Sequence, residues 1–354
     1  MNKKRLQKIL RRVVIIAVVF VLVFSLSSVI FSAVFFHFMF ARRDSVKDEI
    51  VIGYSLIDSD RYSRRAVSFL SGGNTLRGYL YGEKNKSGLI IIAPGIKSDA
   101  DGHLAEIMSF VDSGYAVLAY DATGTFESEG DSRIGLQQSK RDLLAAVDFA
   151  GEDSATKNMP VFLYGHSLGA YAAAAVLEQT DVEAAICLSG FDSPVGTMYG
   201  SAKNYVGFMA DIEYPFLYLQ NYIVFGSDAD IRATDGVNSG DTPVLICYGS
   251  GDRVIPYELS MYSHGGELKN PNARCELVEE EYRNGHSYMW LSHDAAQYVA
   301  ELQDELDDLT RACGGEVPDG VLEEFYSTVD AEKATQTDGE FINEVCDFFE
   351  QAVR

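Results

Sequence analysis

Five short runs of consecutive apolar residues do most to limit the fold: Leu89–Ala93, Ala116–Tyr120, Val161–Tyr164, Ala184–Leu188 and Val244–Tyr248. A strand with one face in water alternates polar and apolar side chains, whereas a strand covered on both faces reads as an unbroken apolar run. Between these runs lie helical patterns at about 102–112, 135–150, 168–179 and 256–264. Strands alternating with helices specify an α/β chain built on a mostly parallel sheet. Ahead of them, Ala66–Leu70 and Thr75–Tyr81 flank Gly72-Gly73-Asn74, the pattern of an antiparallel hairpin. Side chains that do chemistry on such a sheet are expected at the carboxyl ends of its strands.

A different physical object precedes this body. Val13–Phe40 is 28 residues without a charge, interrupted only by Ser25, Ser27, Ser28, Ser32 and His37. A helix of that length exceeds the hydrocarbon thickness of a bilayer, roughly 30 Å. Ser25-Leu26-Ser27 has small residues suited to signal cleavage, but the apolar run continues well beyond them, which favours an uncleaved anchor. Six basic residues precede the run, while Arg42, Arg43 and Lys47 follow it, diluted by Asp44, Asp48 and Glu49. This bias places the N-terminus in the cytoplasm and the body outside the cell membrane, with a single crossing.

Composition matters through its division. The formal charge of −23 averages a head with eight basic residues and no acidic ones before Asp44, and a body with 21 basic against 52 acidic residues, or −31. A strongly anionic body excludes nucleic acid as a partner. Five cysteines in 354 residues are too few for a disulfide framework, and an odd number favours free thiols. No cluster of His, Cys and carboxylate residues has metal-ligand spacing and no Gly-rich phosphate loop is present, so neither metal nor cofactor is expected.

The chain thus divides into a basic segment at 1–12, a transmembrane helix at 13–40, a stalk or ordered lead-in at 41–63, and a single α/β domain at 64–354. Within the domain, residues 191–240 contain no clear strand but nine aromatic residues, and read as a folded cap insertion. Its aromatic residues suit either the packing of the cap or the lining of an acyl-binding cleft. Residues 314–339 are polar and acidic, and Glu340–Val353 carries Phe341, Ile342, Val345, Phe348 and Phe349 as the stripe of a closing amphipathic helix.

The strongest chemical signal is Gly165-His166-Ser167-Leu168-Gly169, which follows an apolar run and opens a helical pattern. A serine on so sharp a turn is held above the sheet, and the flanking glycines remove side chains that would collide there. The Leu168 N–H at the helix N-terminus is then aimed at any oxyanion formed beside Ser167. Serine needs a base, and the base an orienting group. His37 lies in the anchor, His103 begins an early helix, His166 lies inside the elbow in a packing position, and His264 and His293 fall in helical stretches. His286, in Asn284-Gly285-His286-Ser287 after a strand-like run at 274–282, is the candidate base. Asp252 follows Val244–Tyr248 directly and is the candidate orienting acid; Asp192 in Gly190-Phe191-Asp192 is its rival, and Asp121 reads as a turn former. The loop Pro94-Gly95-Ile96 offers the Ile96 N–H as a second oxyanion donor.

These residues resemble the bacterial α/β-hydrolases of the group that contains monoacylglycerol-lipase-like esterases and serine aminopeptidase-type enzymes. The resemblance rests on Ala93-Pro94-Gly95-Ile96, on Tyr120-Asp121-Ala122-Thr123-Gly124-Thr125, on the Ser167 pentapeptide, on Gly249-Ser250-Gly251-Asp252-Arg253-Val254-Ile255-Pro256, and on Asn284-Gly285-His286. It covers about residues 88–290. It implies an α/β-hydrolase fold, a Ser167–Asp252–His286 triad, and oxyanion donors at Ile96 and Leu168. Two features depart from the group: Pro94-Gly95 stands where many relatives have His-Gly, and 287–339 is longer than in minimal members. The expected activity is hydrolysis of a carboxylic ester by a membrane-anchored serine hydrolase, of the carboxylesterase, lysophospholipase or monoacylglycerol-lipase kind. A serine peptidase on the same triad is the alternative, and a non-catalytic binding protein is the reading furthest from it. Small esters, lipids or peptides are the substrates to consider.

Overall fold

The computed structural model describes residues 3–353; the first two residues of the basic segment and Arg354 lie outside the described residues. The chain opens with α1 (Lys3–Met39), the one described helix long and apolar enough to cross a membrane. A hairpin follows, β1 (Arg64–Ser71) and β2 (Asn74–Tyr81), turning where Gly72 takes a φ of 60°. Then come β3 (Leu89–Ala93), α2 (Leu104–Asp112), β4 (Ala116–Tyr120), α3 (Gln138–Glu152), β5 (Val161–His166), α4 (Leu168–Ala175) and β6 (Ala184–Leu188). The insertion supplies α5 (Pro194–Val206), α6 (Met209–Phe225) and α7 (Ala233–Val237). The chain closes with β7 (Val244–Gly249), β8 (Ala273–Val278), α8 (His293–Ala312), α9 (Asp319–Ser327), α10 (Ala331–Ala334) and α11 (Gly339–Val353).

The eight strands form one sheet in the order β1-β2-β4-β3-β5-β6-β7-β8. β2 is antiparallel to both neighbours, and every pair from β4 through β8 is parallel. The apolar runs behave as doubly covered strands. In β3, Leu89, Ile91 and Ala93 join the core on one face, under α3 and α4, while Ile90 and Ile92 join the core on the other, under α2, α8 and α11. With side chains alternating sides, both faces are sealed only if every residue is apolar. The sheet, its helices on both faces and the N-terminal hairpin are those of the α/β-hydrolase fold.

Small residues decide how closely the layers approach. α4 is entirely buried, and its Ala172–Ala175 run lets it lie tight against the sheet. A Cβ on Gly236 of α7 would collide with the Ala174 carbonyl, so a side chain there would push the two helices apart.

Two expectations need correction. The helix expected at 256–264 is two short 3-10 turns, Tyr257–Leu259 and Tyr262–Glu267, because Pro256 starts the segment and Gly265-Gly266 ends it. The strand expected at 274–282 ends at Val278. Residues 41–63, read as a stalk or an ordered lead-in, make specific contacts with the domain. Arg43 N–H bonds to Gly124 O at 3.0 Å, Phe126 N–H to Arg43 O at 2.8 Å, and Ile50 and Ile52 are buried in the core beneath α8.

The lead-in starts inside the domain as well. Ser28, Ser32 and Phe36 of α1 and Phe40 just after it are buried, each four residues after the last, which makes one buried stripe. Phe36 and Phe40 belong to the core under the cap, and Phe24 meets Phe216 of α6 edge-to-face at 6.2 Å. Ser28 Oγ donates to Glu213 Oε1 of α6 at 3.0 Å.

Candidate active site

The elbow is built as the pentapeptide demands. Ser167 has φ 55° and ψ −113°, between the last residue of β5 and the first of α4. A non-glycine residue in that region stores on the order of 1–3 kcal/mol, which the surrounding fold must hold. The glycines explain how it is held. A Cβ on Gly165 would strike the Gly169 carbonyl, and one on Gly169 would strike Ala93 O of β3, so the turn closes only with both side chains absent. Ser167 N–H also bonds to Leu188 O at 2.8 Å, pinning the turn to β6.

His286 Nε2 lies 2.9 Å from Ser167 Oγ, and His286 Nδ1 lies 2.8 Å from Asp252 Oδ2. A carboxylate only accepts, so Nδ1 donates to Asp252 and Nε2 is left as the acceptor for the serine hydroxyl. The Asp252 side chain is fully shielded from solvent. Its Oδ1 accepts the N–H groups of Val254 and Ile255 at 2.8 and 3.0 Å, which fixes the carboxylate before it meets the imidazole. Gly249, at the end of β7, lets the His286 loop come down on it: a Cβ there would collide with the carbonyls of Asn284 and Gly285. Gly251 N–H then bonds to Asn284 O at 2.8 Å.

Ile96 and Leu168 line one small cleft together with Gly95, Phe40 and Arg133. As the first residue of α4, Leu168 has no helical carbonyl for its N–H. The loop carrying Ile96 is held by Arg133, which donates to Ile96 O at 3.2 Å. The same guanidinium donates to Met39 O at 2.6 Å and Ala41 O at 3.0 Å, and the Arg133 N–H bonds to Phe40 O at 2.7 Å. The end of α1 and the Ile96 loop are therefore fastened to a single side chain.

The alternatives are accounted for elsewhere. Asp192 is buried and accepts from Arg232 Nε and from the Thr234 N–H at 2.9 Å, away from His286. Asp121 accepts the N–H groups of Ala100 and Glu127, as a turn former does, and burial pushes its carboxyl up to about 6. His264 and His293 pair with Glu267 and Glu280. Two residues gain roles that a reading by position misses. His166 donates from Nε2 to the His286 carbonyl at 2.9 Å, and burial, with His286 and His103 nearby, holds its imidazole far below the usual range, hence neutral. Phe40, nominally the last residue of the membrane run, lines the cleft of Ile96 and Leu168. All five cysteines are free thiols.

Residues 84–212 match the family described as serine aminopeptidase, S33. No curated protein sequence matches the chain. Among solved structures, an esterase from Pyrococcus furiosus superposes with a TM-score of 0.52 at 17% identity, over 76% of this chain and 98% of that one. An acylaminoacyl peptidase from Pyrococcus horikoshii superposes with a TM-score of 0.50 at 14% identity, over 82% of this chain and 41% of that one. At such identities the likeness concerns architecture, and it agrees with the strand order: the chain has the α/β-hydrolase fold.

Proposed function

We propose that this chain is a serine hydrolase that cleaves carboxylic esters, held in the cell membrane by α1 with its N-terminus in the cytoplasm. The observation that carries the reading is the unbroken chain of hydrogen bonds from Ser167 Oγ through His286 to Asp252, beside a cleft lined by Ile96 and Leu168. Ser167 Oγ attacks the ester carbonyl as its proton passes to His286 Nε2. Asp252, accepting from Nδ1, keeps the imidazole in the right tautomer and stabilises the imidazolium. The N–H groups of Ile96 and Leu168 receive the negative oxygen. His286 then returns the proton to the departing alcohol, leaving Ser167 acylated. A water molecule, deprotonated by the same nitrogen, releases the acid.

A peptidase reading draws on the matched family description and on the acylaminoacyl peptidase neighbour. The cleft lining favours the ester. Its one carboxylate, Asp142, already accepts from Ser71 Oγ, Thr123 N–H, Thr123 Oγ1 and Gln138 Nε2, and so has no place for a substrate ammonium. Labelling with a fluorophosphonate probe tests the nucleophile: it should vanish in Ser167→Ala, and undiminished labelling overturns the assignment. Preferential turnover of aminoacyl anilides over p-nitrophenyl acyl esters would decide for the peptidase.

A further inference from the structure

α6 exposes an apolar face that no part of the described chain covers. Phe208, just before it, is 72% exposed and Ile223 is 64% exposed, with Ile212 and Leu219 between them on the same stripe at helical spacing. Tyr214, Tyr218 and Tyr222 form an exposed row beside the stripe, again four residues apart. Asp211 and Glu213 are the only charged residues of α6. Asp211 is drawn aside by Tyr199 and Lys203, and Glu213 accepts from Ser28 of α1. Large apolar patches on a protein surface mark a binding surface.

The partner of α6 on its covered side says what covers the other. α6 packs along α1 at Phe24 and Ser28. If the hydrocarbon core begins at Val13, where the charges end, a rise of about 1.5 Å per residue puts Phe24 about 17 Å and Ser28 about 23 Å from its inner boundary. The outer boundary, at roughly 30 Å, falls near residue 33. The contact with α6 therefore lies at the depth of the outer leaflet. At that level α1 itself exposes Leu26, Ile30 and Val34, so the apolar surface runs from anchor to cap. The seam between them is a cleft of about 200 Å³ lined by Phe31, Phe35, Val206 and Leu217, with Glu213, held by Ser28, as its one ionisable residue. Tyrosine rows are typical of the zone where hydrocarbon meets headgroups.

We propose that the outward face of α6 is seated in the outer leaflet beside α1, with lipid acyl chains as its occupant, so that the cap is a second membrane contact. This rests on the anchored-hydrolase reading and names its substrate class: amphiphilic acyl esters taken laterally from the leaflet, with the seam cleft receiving an acyl chain.

The full chain, reconstituted in phosphatidylcholine vesicles brominated at mid-chain, tests this without reference to catalysis. The single native tryptophan, Trp290, is buried in the domain and supplies an unquenched baseline. Emission added by Ile223→Trp or Ile212→Trp should be quenched by at least half, as should that of Leu22→Trp in the anchor. An unquenched tryptophan at 212 and 223 overturns the proposal, whatever the anchor position shows. As a second measurement, the triple variant Ile212→Asn, Leu219→Asn, Ile223→Asn should hydrolyse a water-soluble short-chain ester within twofold of the parent. Its turnover of a long-chain ester embedded in vesicles should fall at least tenfold. Equal losses on both substrates, or on neither, also overturn it. Because the soluble ester reports the triad alone, its retention separates failure of the surface from failure of the catalytic reading.

Discussion

Asp192 and Asp252 are the same residue type, at the carboxyl ends of adjacent strands, with side chains almost wholly shielded from water. Each also accepts backbone N–H bonds that fix its orientation. They differ in what they face. Asp252 meets an imidazole, whose second ring nitrogen is free to accept a proton; Asp192 meets the Arg232 guanidinium, which has only donors. Asp192 stands just before α5, where the chain enters the insertion, and Arg232 just before α7, its last helix, so this pair clasps the segment that carries α5 and α6. Arg232 extends the clasp to Glu267 and His264. A position beyond a strand end makes a buried carboxylate available; its partner decides whether it serves chemistry or architecture.

Substitution can break this comparison. The largest effect is expected from Asp252→Asn, which leaves the geometry but favours the wrong imidazole tautomer. Turnover of a soluble ester should drop about 10³- to 10⁴-fold, with the melting temperature nearly unchanged. Asp192→Asn should do the reverse: turnover within about threefold, and a loss of about 2 kcal/mol in stability as Arg232 loses its buried partner. A collapse of turnover in Asp192→Asn with retention in Asp252→Asn would exchange their roles.

Arg133 sharpens the contrast, since it is clamped by carbonyls and meets no carboxylate among the described residues. Arg133→Ala should lower kcat about tenfold with KM changed less than threefold, because the Ile96 loop loses its brace. Arg133→Lys should recover part of the loss; unchanged kinetics would show that the loop stands without the brace.

A third buried carboxylate stands at the same edge, Asp121 after β4, and it changes stability with pH and leaves turnover alone. Its carboxyl is pushed up to about 6 by burial, so the stability it contributes is complete below the ordinary range near 4 and is lost as pH rises through 6. Relative to Asp121→Asn, the parent should lose on the order of 3 kcal/mol between pH 4 and pH 7. Denaturation of both proteins at each pH measures this, and parallel curves would rule it out.

Much of the active-site geometry is legible because it is dictated by the backbone. The elbow needs Gly165 and Gly169 for contacts that no other residue permits, and Asp252 follows β7, a strand that announces itself by apolarity. What the sequence conceals are contacts made by residues with an adequate simpler explanation. Ser28 and Ser32 look like tolerated interruptions of a membrane run, yet with Phe36 they form the buried stripe of α1. His166 looks like packing, yet holds the His286 backbone. Residues 314–339 read as merely polar and acidic because α9 and α10 are short on buried residues: α9 buries none fully and α10 only Ala334. Propensity could not separate a helix from 3-10 turns at 256–264, where a proline and paired glycines bracket too few residues for a stable α-helix.

The junction between α1 and the domain has a mechanical consequence. A catalytic domain on a loose tether swivels and samples many heights above a membrane. Here the helix runs without a break from Lys3 to Met39, its last turns are inside the core, and the next residues are stitched to the loops after β4. No hinge intervenes. In the anchored reading, the angle at which the helix crosses the bilayer sets the attitude of the sheet above it. Bilayer thickness then becomes a variable that reaches the cleft of Ile96 and Leu168 through Arg133. Such a molecule is aimed, in the way a fixed instrument is aimed by its mount, and a change in lipid chain length would re-aim it.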